Sequence, residues 1–183
     1  LLNEKIRLEN KYNNLKCLVQ ETMTNASVNR NKCMIESQGD IIIIHDADDI
    51  MDSQKCEIIE KIFIKYSDTK MILHNLNNKT NRNYNLINKK YNLEDYKIYT
   101  NLISSEDNVG VANKEYEKDT NKIFGHNYVC GAVSIRKNVI ENVLFENINY
   151  AEDAKFVGNV NRLYNKTIYI DMKLIDYISS CSW

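Results

Sequence analysis

An α/β domain built on a mostly parallel sheet is the fold class predicted by this 183-residue chain. Two observations predict it. Short apolar runs of strand length alternate with stretches whose apolar residues recur at three- and four-residue spacing, giving helix, strand, helix, strand, helix, strand over the first 76 residues. Within that alternation four consecutive isoleucines, Ile41 to Ile44, stand between a Gly39-Asp40 turn and an acidic cluster. Such a run reads as a central strand buried on both faces, whose C-terminal end delivers carboxylates to a surface. In open α/β sheets that end is where ligands bind.

The elements follow in order. Leu1 to about Asn14 carries a modest apolar stripe of Leu2, Ile6 and Leu8 and predicts a helix, and Cys17 to Val19 predicts a short buried strand. A second helix is expected from Ala26 to about Ser37, with Asn25 as N-cap and Gly39 as its stop. Ile41 to His45 is the central strand. Asp52 or Ser53 then caps a helix in which Ile58, Ile59, Ile62, Phe63 and Tyr66 form one face, and Lys70 to Leu76 is the next strand. Residues 77–92 lose all periodicity and read as a mobile surface loop or a substrate lid. Leu93 to Ser104 reads as a short helix, residues 105–121 as a charged loop, and Tyr128 to Ile135 as a strand followed by a short helix from Arg136 to Leu144. Glu152 to Tyr164 is an amphipathic helix burying Phe156, Val157, Val160 and Tyr164, and Thr167 to Ile178 is one extended strand or two. There is no internal repeat or linker, so residues 1–183 form one domain.

Composition narrows the function classes. With 24 basic and 25 acidic residues the net charge is -1, which leaves no field to draw nucleic acid or an anionic membrane. No run approaches the roughly 20 apolar residues of a membrane span. The five cysteines, Cys17, Cys33, Cys56, Cys130 and Cys181, are odd in number and never spaced as a metal or redox pair. Buried free thiols in a reducing compartment are expected, and with a start unlike a signal peptide the expected location is the cytoplasm, free or at the cytosolic face of a membrane.

Three groups of residues could carry chemistry. Asp46, Asp48 and Asp49 would repel one another, so a bound cation is expected there, and a hard divalent ion with oxygen ligands fits best. The same acids could instead be N-terminal caps and dipole partners of the following helix. Arg30, on the helix before the isoleucines, could reach the same pocket and bind phosphate with its forked guanidinium, or lie on the surface. Glu152 and Asp153 open an amphipathic helix, where acids serve as first-turn charges or, next to a bound hydroxyl, as a general base.

These residues, in their order and spacing, resemble the GT-A fold of inverting glycosyltransferases, glycosyltransferase family 2. The stretch SVNRNKCMIESQGDIIIIHDADD is similar to that family's Arg-Asn, Gly-Asp, apolar strand and Asp-x-Asp block, with looser likeness through GAVSIRK, YAEDAKF and LIDYISSCS. The resemblance implies a three-layer α/β sandwich whose residues up to about 76 belong to the nucleotide-binding half and about 93–183 to the acceptor-binding half. It implies that Asp46 contacts the ribose or donor sugar and that Asp48 coordinates Mn²⁺ or Mg²⁺ beneath the donor's diphosphate. Arg30 would line the nucleotide side, Asp153 would be the catalytic base, and Glu152 would orient the acceptor. The implied partners are a UDP- or GDP-sugar donor and a glycan or other hydroxyl acceptor. The family's opening strands, which hold the nucleoside base, have no counterpart here, so a first βα unit is expected to be lacking and a sheet edge left unpaired. Two other readings stand beside this one: a glycosyltransferase-like module that binds without turnover, and a phosphatase of the haloacid dehalogenase type. The phosphatase wants Thr or Val two residues after its second Asp, where this chain has Ile50.

Overall fold

The computed structural model describes residues 2–79, 90–100, 102–103, 111–112 and 130–178. In chain order the helices are α1 (Leu2–Lys11), α2 (Ala26–Glu36), α3 (Lys55–Lys65) and α4 (Glu152–Tyr164). The strands are β1 (Ile41–Ile43), β2 (Ile50–Met51), β3 (Met71–Lys79), β4 (Ile98–Thr100), β5 (Leu102–Ile103), β6 (Val111–Ala112), β7 (Val133–Arg136) and β8 (Thr167–Ile178).

The main sheet runs β1-β7-β3-β8-β2, with β4 sharing the outer edge of β8 with β2. Its pairings correct the mostly parallel expectation. Only β3 with β8 is parallel, and the β1-β7, β7-β3, β8-β4 and β8-β2 pairs are antiparallel. The sheet is therefore mixed, and β5 and β6 form a separate antiparallel pair.

Strand alternation sorts the apolar side chains into two cores, one on each face of the sheet. On one face Ile42, Ile44, Met71, Leu73, Val133, Ile135 and Tyr169 pack with Met34 of α2 and with Phe156, Val157 and Val160 of α4. On the other, Ile72, Ile168, Ile170, Met172 and Leu174 pack with Ile58, Ile59, Ile62 and Phe63 of α3. Helices thus cover both faces, which is the expected three-layer arrangement. The four isoleucines do serve both faces, but β1 is not central. It ends the strand order with β7 as its neighbour among the described residues, so Ile41 and Ile43 are only half-buried. The centre belongs to β3 and β8.

Local chemistry explains most element ends. Asn25 caps α2 by accepting from Val28 N at 3.1 Å. At its other end Lys137 Nζ donates to Met34 O, Ile35 O and Ser37 O, neutralising the carbonyls that a helix leaves open. α3 starts one residue later than a cap at Ser53, and two later than a cap at Asp52, would have it. Gln54 is the cap residue, and Asp52 Oδ1 instead accepts from Gln54 N at 2.8 Å.

Other expectations change. Residues 17–19 form no strand. Instead of a helix over 93–104 there is a 3₁₀ turn, Leu93–Asp95, then β4, where Tyr99 is buried against Tyr169 with ring centroids 5.9 Å apart. The strand expected from Tyr128 begins at Val133 after a 3₁₀ turn over Cys130–Ala132, and residues 128–129 lie outside the described residues. The short helix after it is a 3₁₀ turn, Lys137–Glu141. Of the loop expected over 77–92, residues 77–79 extend β3 and 80–89 lie outside the described residues, as do most of 105–121. The described cysteines are free as expected, yet only Cys130 is buried, Cys17 being half-buried and Cys33 and Cys56 exposed. No helix among the described residues is long and apolar enough to cross a membrane.

Candidate active site

Two chain turns meet at one end of the sheet. The first is the acidic turn after Ile44, where Ile44 N still donates to Val133 O at 3.1 Å and the chain then leaves the sheet through Asp46, Asp48 and Asp49. The second is the start of α4. Ala151 there is left-handed, with φ 55 and ψ 27, a conformation that costs a non-glycine residue about 1 kcal/mol. This bend brings Glu152 and Asp153 into the first helical turn. The loop before it is held by Asn25, whose Nδ2 donates to Asn147 Oδ1 at 2.7 Å.

Arg30 joins the two turns. Its guanidinium donates to Asp46 Oδ1 at 2.9 Å and to Glu152 Oε1 at 2.8 Å, while its planar face lies over Phe145, 5.6 Å from the ring centroid. Phe145 in turn stacks on Phe156 at 4.1 Å between centroids. Residues 30, 46 and 152 come from three separate parts of the sequence, and the fold brings all of them into one constellation. Asp153, next to Glu152, is half-buried. Burial and then the adjacent Glu152 charge push its carboxyl above the usual range, against the Ala154 N–H and Arg30, which work the other way.

Asp48 makes no hydrogen bond or ion pair with any other described residue. Asp49 is different: Oδ1 accepts from Ile178 N at 3.2 Å, and Oδ2 is buried without a hydrogen-bond partner among the described residues. Burial, with Asp48 and Asp46 nearby, pushes its carboxyl up to about 6, despite the Ile178 N–H. Tyr177, near the end of β8, is raised first by its own burial and then by Asp49, Asp48, Asp153 and Asp46, so all four acids bear on one patch.

Among the described residues no group of three or more His, Cys, Asp or Glu side chains could hold a metal ion alone. A hard cation of the Mg²⁺ type needs only one or two protein carboxylates when substrate phosphates and water complete its shell. The carboxylate of Asp48, without a hydrogen bond or ion pair to another described residue, is the group that such an ion would draw on. The residues present therefore fit a divalent ion.

Sequence reasoning passed over three residues here. Lys55 is 0 % exposed, and its Nζ donates to Gly131 O at 2.5 Å and faces Ile44 O at 3.4 Å. His74 on β3 is also wholly buried, its Nδ1 2.7 Å from Asn75 O. Gly131 lets Asp49 approach, since a Cβ there would stand 2.9 Å from Asp49 Oδ2 and 3.0 Å from Ile175 Cδ1. Gly131→Ala is accordingly expected to cost about 1–3 kcal/mol in a urea titration by overpacking. A loss below about 0.5 kcal/mol would mean that the acidic turn has room to shift.

A three-layer sandwich with this mixed sheet, carrying the acidic turn and the helix-start acid pair at one end, is a GT-A-type fold. No protein-family model matches the chain and no curated protein matches it in sequence. Among solved structures it is similar to S. aureus TarS, a GT-A-type glycosyltransferase, in the fragment 1–349, with a TM-score of 0.64 at 14% identity over 96% of this chain and 48% of that one. The same fragment in complex with UDP-GlcNAc gives 0.63 at 14% identity, covering 98% and 47%, and in complex with UDP 0.65 at 13%, covering 96% and 47%. The chain thus spans about half the length of the TarS fragments it matches.

Proposed function

We propose that this chain carries the sugar-transfer centre of a metal-dependent inverting glycosyltransferase, moving a sugar from a nucleotide-sugar donor to a hydroxyl of a glycan or other acceptor. The observation that carries this reading is the double ion pair of Arg30, which holds Asp46 of the acidic turn and Glu152 beside Asp153 within reach of one guanidinium. The family resemblance assigns donor contact to the first of these groups and acceptor activation to the second. Here they are mechanically coupled. The fold shared with TarS, whose solved complexes hold UDP-GlcNAc and UDP, supports a nucleotide-sugar donor.

In this reading Asp46 receives a hydroxyl of the ribose or donor sugar, and Asp48, without a hydrogen bond or ion pair among the described residues, would hold Mn²⁺ or Mg²⁺. Such an ion would supply positive charge to offset that of the departing diphosphate. Asp153 takes the proton of the acceptor hydroxyl as its oxygen attacks the anomeric carbon from the face opposite the leaving group. Glu152, fixed by Arg30, orients that acceptor. Burial of Asp153 raises its basicity toward working pH, as suits a general base.

The test is Mn²⁺-dependent hydrolysis of UDP- and GDP-sugars by the protein and its Asp48→Ala variant, read as free nucleoside diphosphate. Asp48→Ala is expected to raise the Mn²⁺ concentration needed for half-maximal rate by about a hundredfold, through loss of a metal ligand. Equal Mn²⁺ dependence in both proteins would remove Asp48 from the metal site. Release of inorganic phosphate from a simple monoester would point to a phosphatase instead.

A further inference from the structure

Among the described residues Lys55 is the one buried cation at this end of the sheet that the proposed mechanism leaves without a task. Its position is costly three times over. It is the first residue of α3, where the positive end of the helix dipole disfavours a cation. It is wholly buried, and a buried ammonium without a paired charge is strongly disfavoured. Its hydrogen-bond partners, Gly131 O and Ile44 O, are neutral carbonyls, and no described carboxylate lies within ion-pair distance of it. An apolar side chain of equal length would fill the same space without these penalties.

What surrounds the ammonium accounts for its charge. Ile44 O is the last carbonyl of the apolar run, two residues before Asp46. Gly131 O accepts from Lys55 Nζ, while the Cα of the same glycine faces Asp49 Oδ2, the buried oxygen that has no hydrogen-bond partner among the described residues. Lys55 and Asp49 therefore press on the same glycine. Arg30 neutralises the turn from the side of Asp46 and Glu152, and nothing else among the described residues supplies positive charge under Asp49.

We propose that Lys55 is a resident cation beneath the acidic turn, offsetting the charge of Asp46, Asp48 and Asp49 from inside the protein and keeping a divalent cation at Asp48 weakly held and exchangeable. This rests on the functional reading above. Lys55 is a positioning residue in that scheme, since it touches neither substrate nor ion. Its consequence for turnover is that the ion can leave with the nucleoside diphosphate instead of staying trapped among the acids. The burial that lowers its own basicity, to about 8, is opposed by Cys56, Asp49 and Asp46, and it remains mostly protonated at neutral pH.

The experiment is a Mn²⁺ titration without nucleotide, followed by loss of the electron paramagnetic resonance signal of free Mn²⁺. It is run on the protein, on Lys55→Met and on Lys55→Gln, which keeps a donor for Gly131 O but not the charge, with Asp48→Ala marking the site. A resident cation predicts about tenfold tighter Mn²⁺ binding in both uncharged variants, because one repulsive charge has gone. A lysine that merely braces the turn predicts the opposite sign, since a loosened turn binds less well. Unchanged or weaker binding in variants with native circular dichroism overturns the proposal, as does failure of both variants to fold, which would assign Lys55 to the core. Absence of Asp48-dependent binding in all three proteins likewise overturns the proposal, while the functional reading stands or falls separately on the Mn²⁺ dependence of nucleotide-sugar hydrolysis.

Discussion

Under the proposed mechanism Asp153→Asn is expected to lower sugar transfer by on the order of 10³-fold at neutral pH, the loss that follows when a general base is replaced by an isosteric amide that cannot take a proton. The amide keeps the volume and one acceptor oxygen for Ala154 N, now 2.8 Å from Asp153 Oδ1, so helix α4 should start unchanged. The pH profile makes the expectation sharper. Burial, and then Glu152, hold the Asp153 carboxyl above its ordinary value, so the rate in the unaltered protein rises with pH through that displaced value as the base deprotonates. Glu152→Gln removes the neighbouring negative charge while keeping an oxygen for Arg30, and the acid limb should move to lower pH. An acid limb that stays in place in Glu152→Gln, or transfer that survives in Asp153→Asn, would take the proton-accepting role away from Asp153.

The parts of this centre were legible in the sequence where they depend on local pattern. Asp46, Asp48, Glu152 and Asp153 stand at or just past element ends and Arg30 lies in the second turn of α2, so the periodicity that bounds α2, α3, α4 and β8 also fixes where they fall. What the sequence did not reveal was pairing. A strand's apolar content reports how many of its faces are covered, and says nothing of which strand lies beside it or in which direction. The strand that became β7 was expected, but its antiparallel place between β1 and β3 was not legible, nor was β4 on the edge of β8, and β1 was placed at the centre because Ile41 to Ile44 cover two faces. The bridge made by Arg30 depends on that same non-local placement.

Lys55 was legible and passed over. It precedes Ile58 by three residues and Ile59 by four, so the helical spacing that predicts α3 also puts Lys55 on its buried face. His74 follows the same logic in a strand, two residues after the buried Ile72. A polar residue at a position the pattern reserves for the core is the sequence signal that was available in both cases.

His74 sets up the second large effect, on acid stability. The ring is wholly buried; that burial and then the Lys55 charge, with His45 a smaller contributor, hold its basicity down to about 3, against the carbonyls of Asn75 and Gly131, which favour the charged form. In the unfolded chain the same group binds a proton near 6.5. Between these values the unfolded state holds more protons than the native state, so native stability falls as pH falls, beginning near 6.5 and continuing down to about 3. Integrated over that window the loss is up to about 5 kcal/mol. Asp49 and Asp153 act in the opposite sense, since their raised native values make the native state take up protons first as pH drops. A comparison with His74→Leu separates the effects, because the carboxylates are common to both proteins. The variant loses the Asn75 contact and is expected to be less stable at pH 7, by about 1–2 kcal/mol. The unfolding free energies by urea should then converge and cross as the buffer is taken from pH 7 to pH 4, because only the unaltered protein carries a histidine that must charge on unfolding. Parallel curves across that range would mean that His74 is already protonated in the native state, with its charge met by a partner inside the fold.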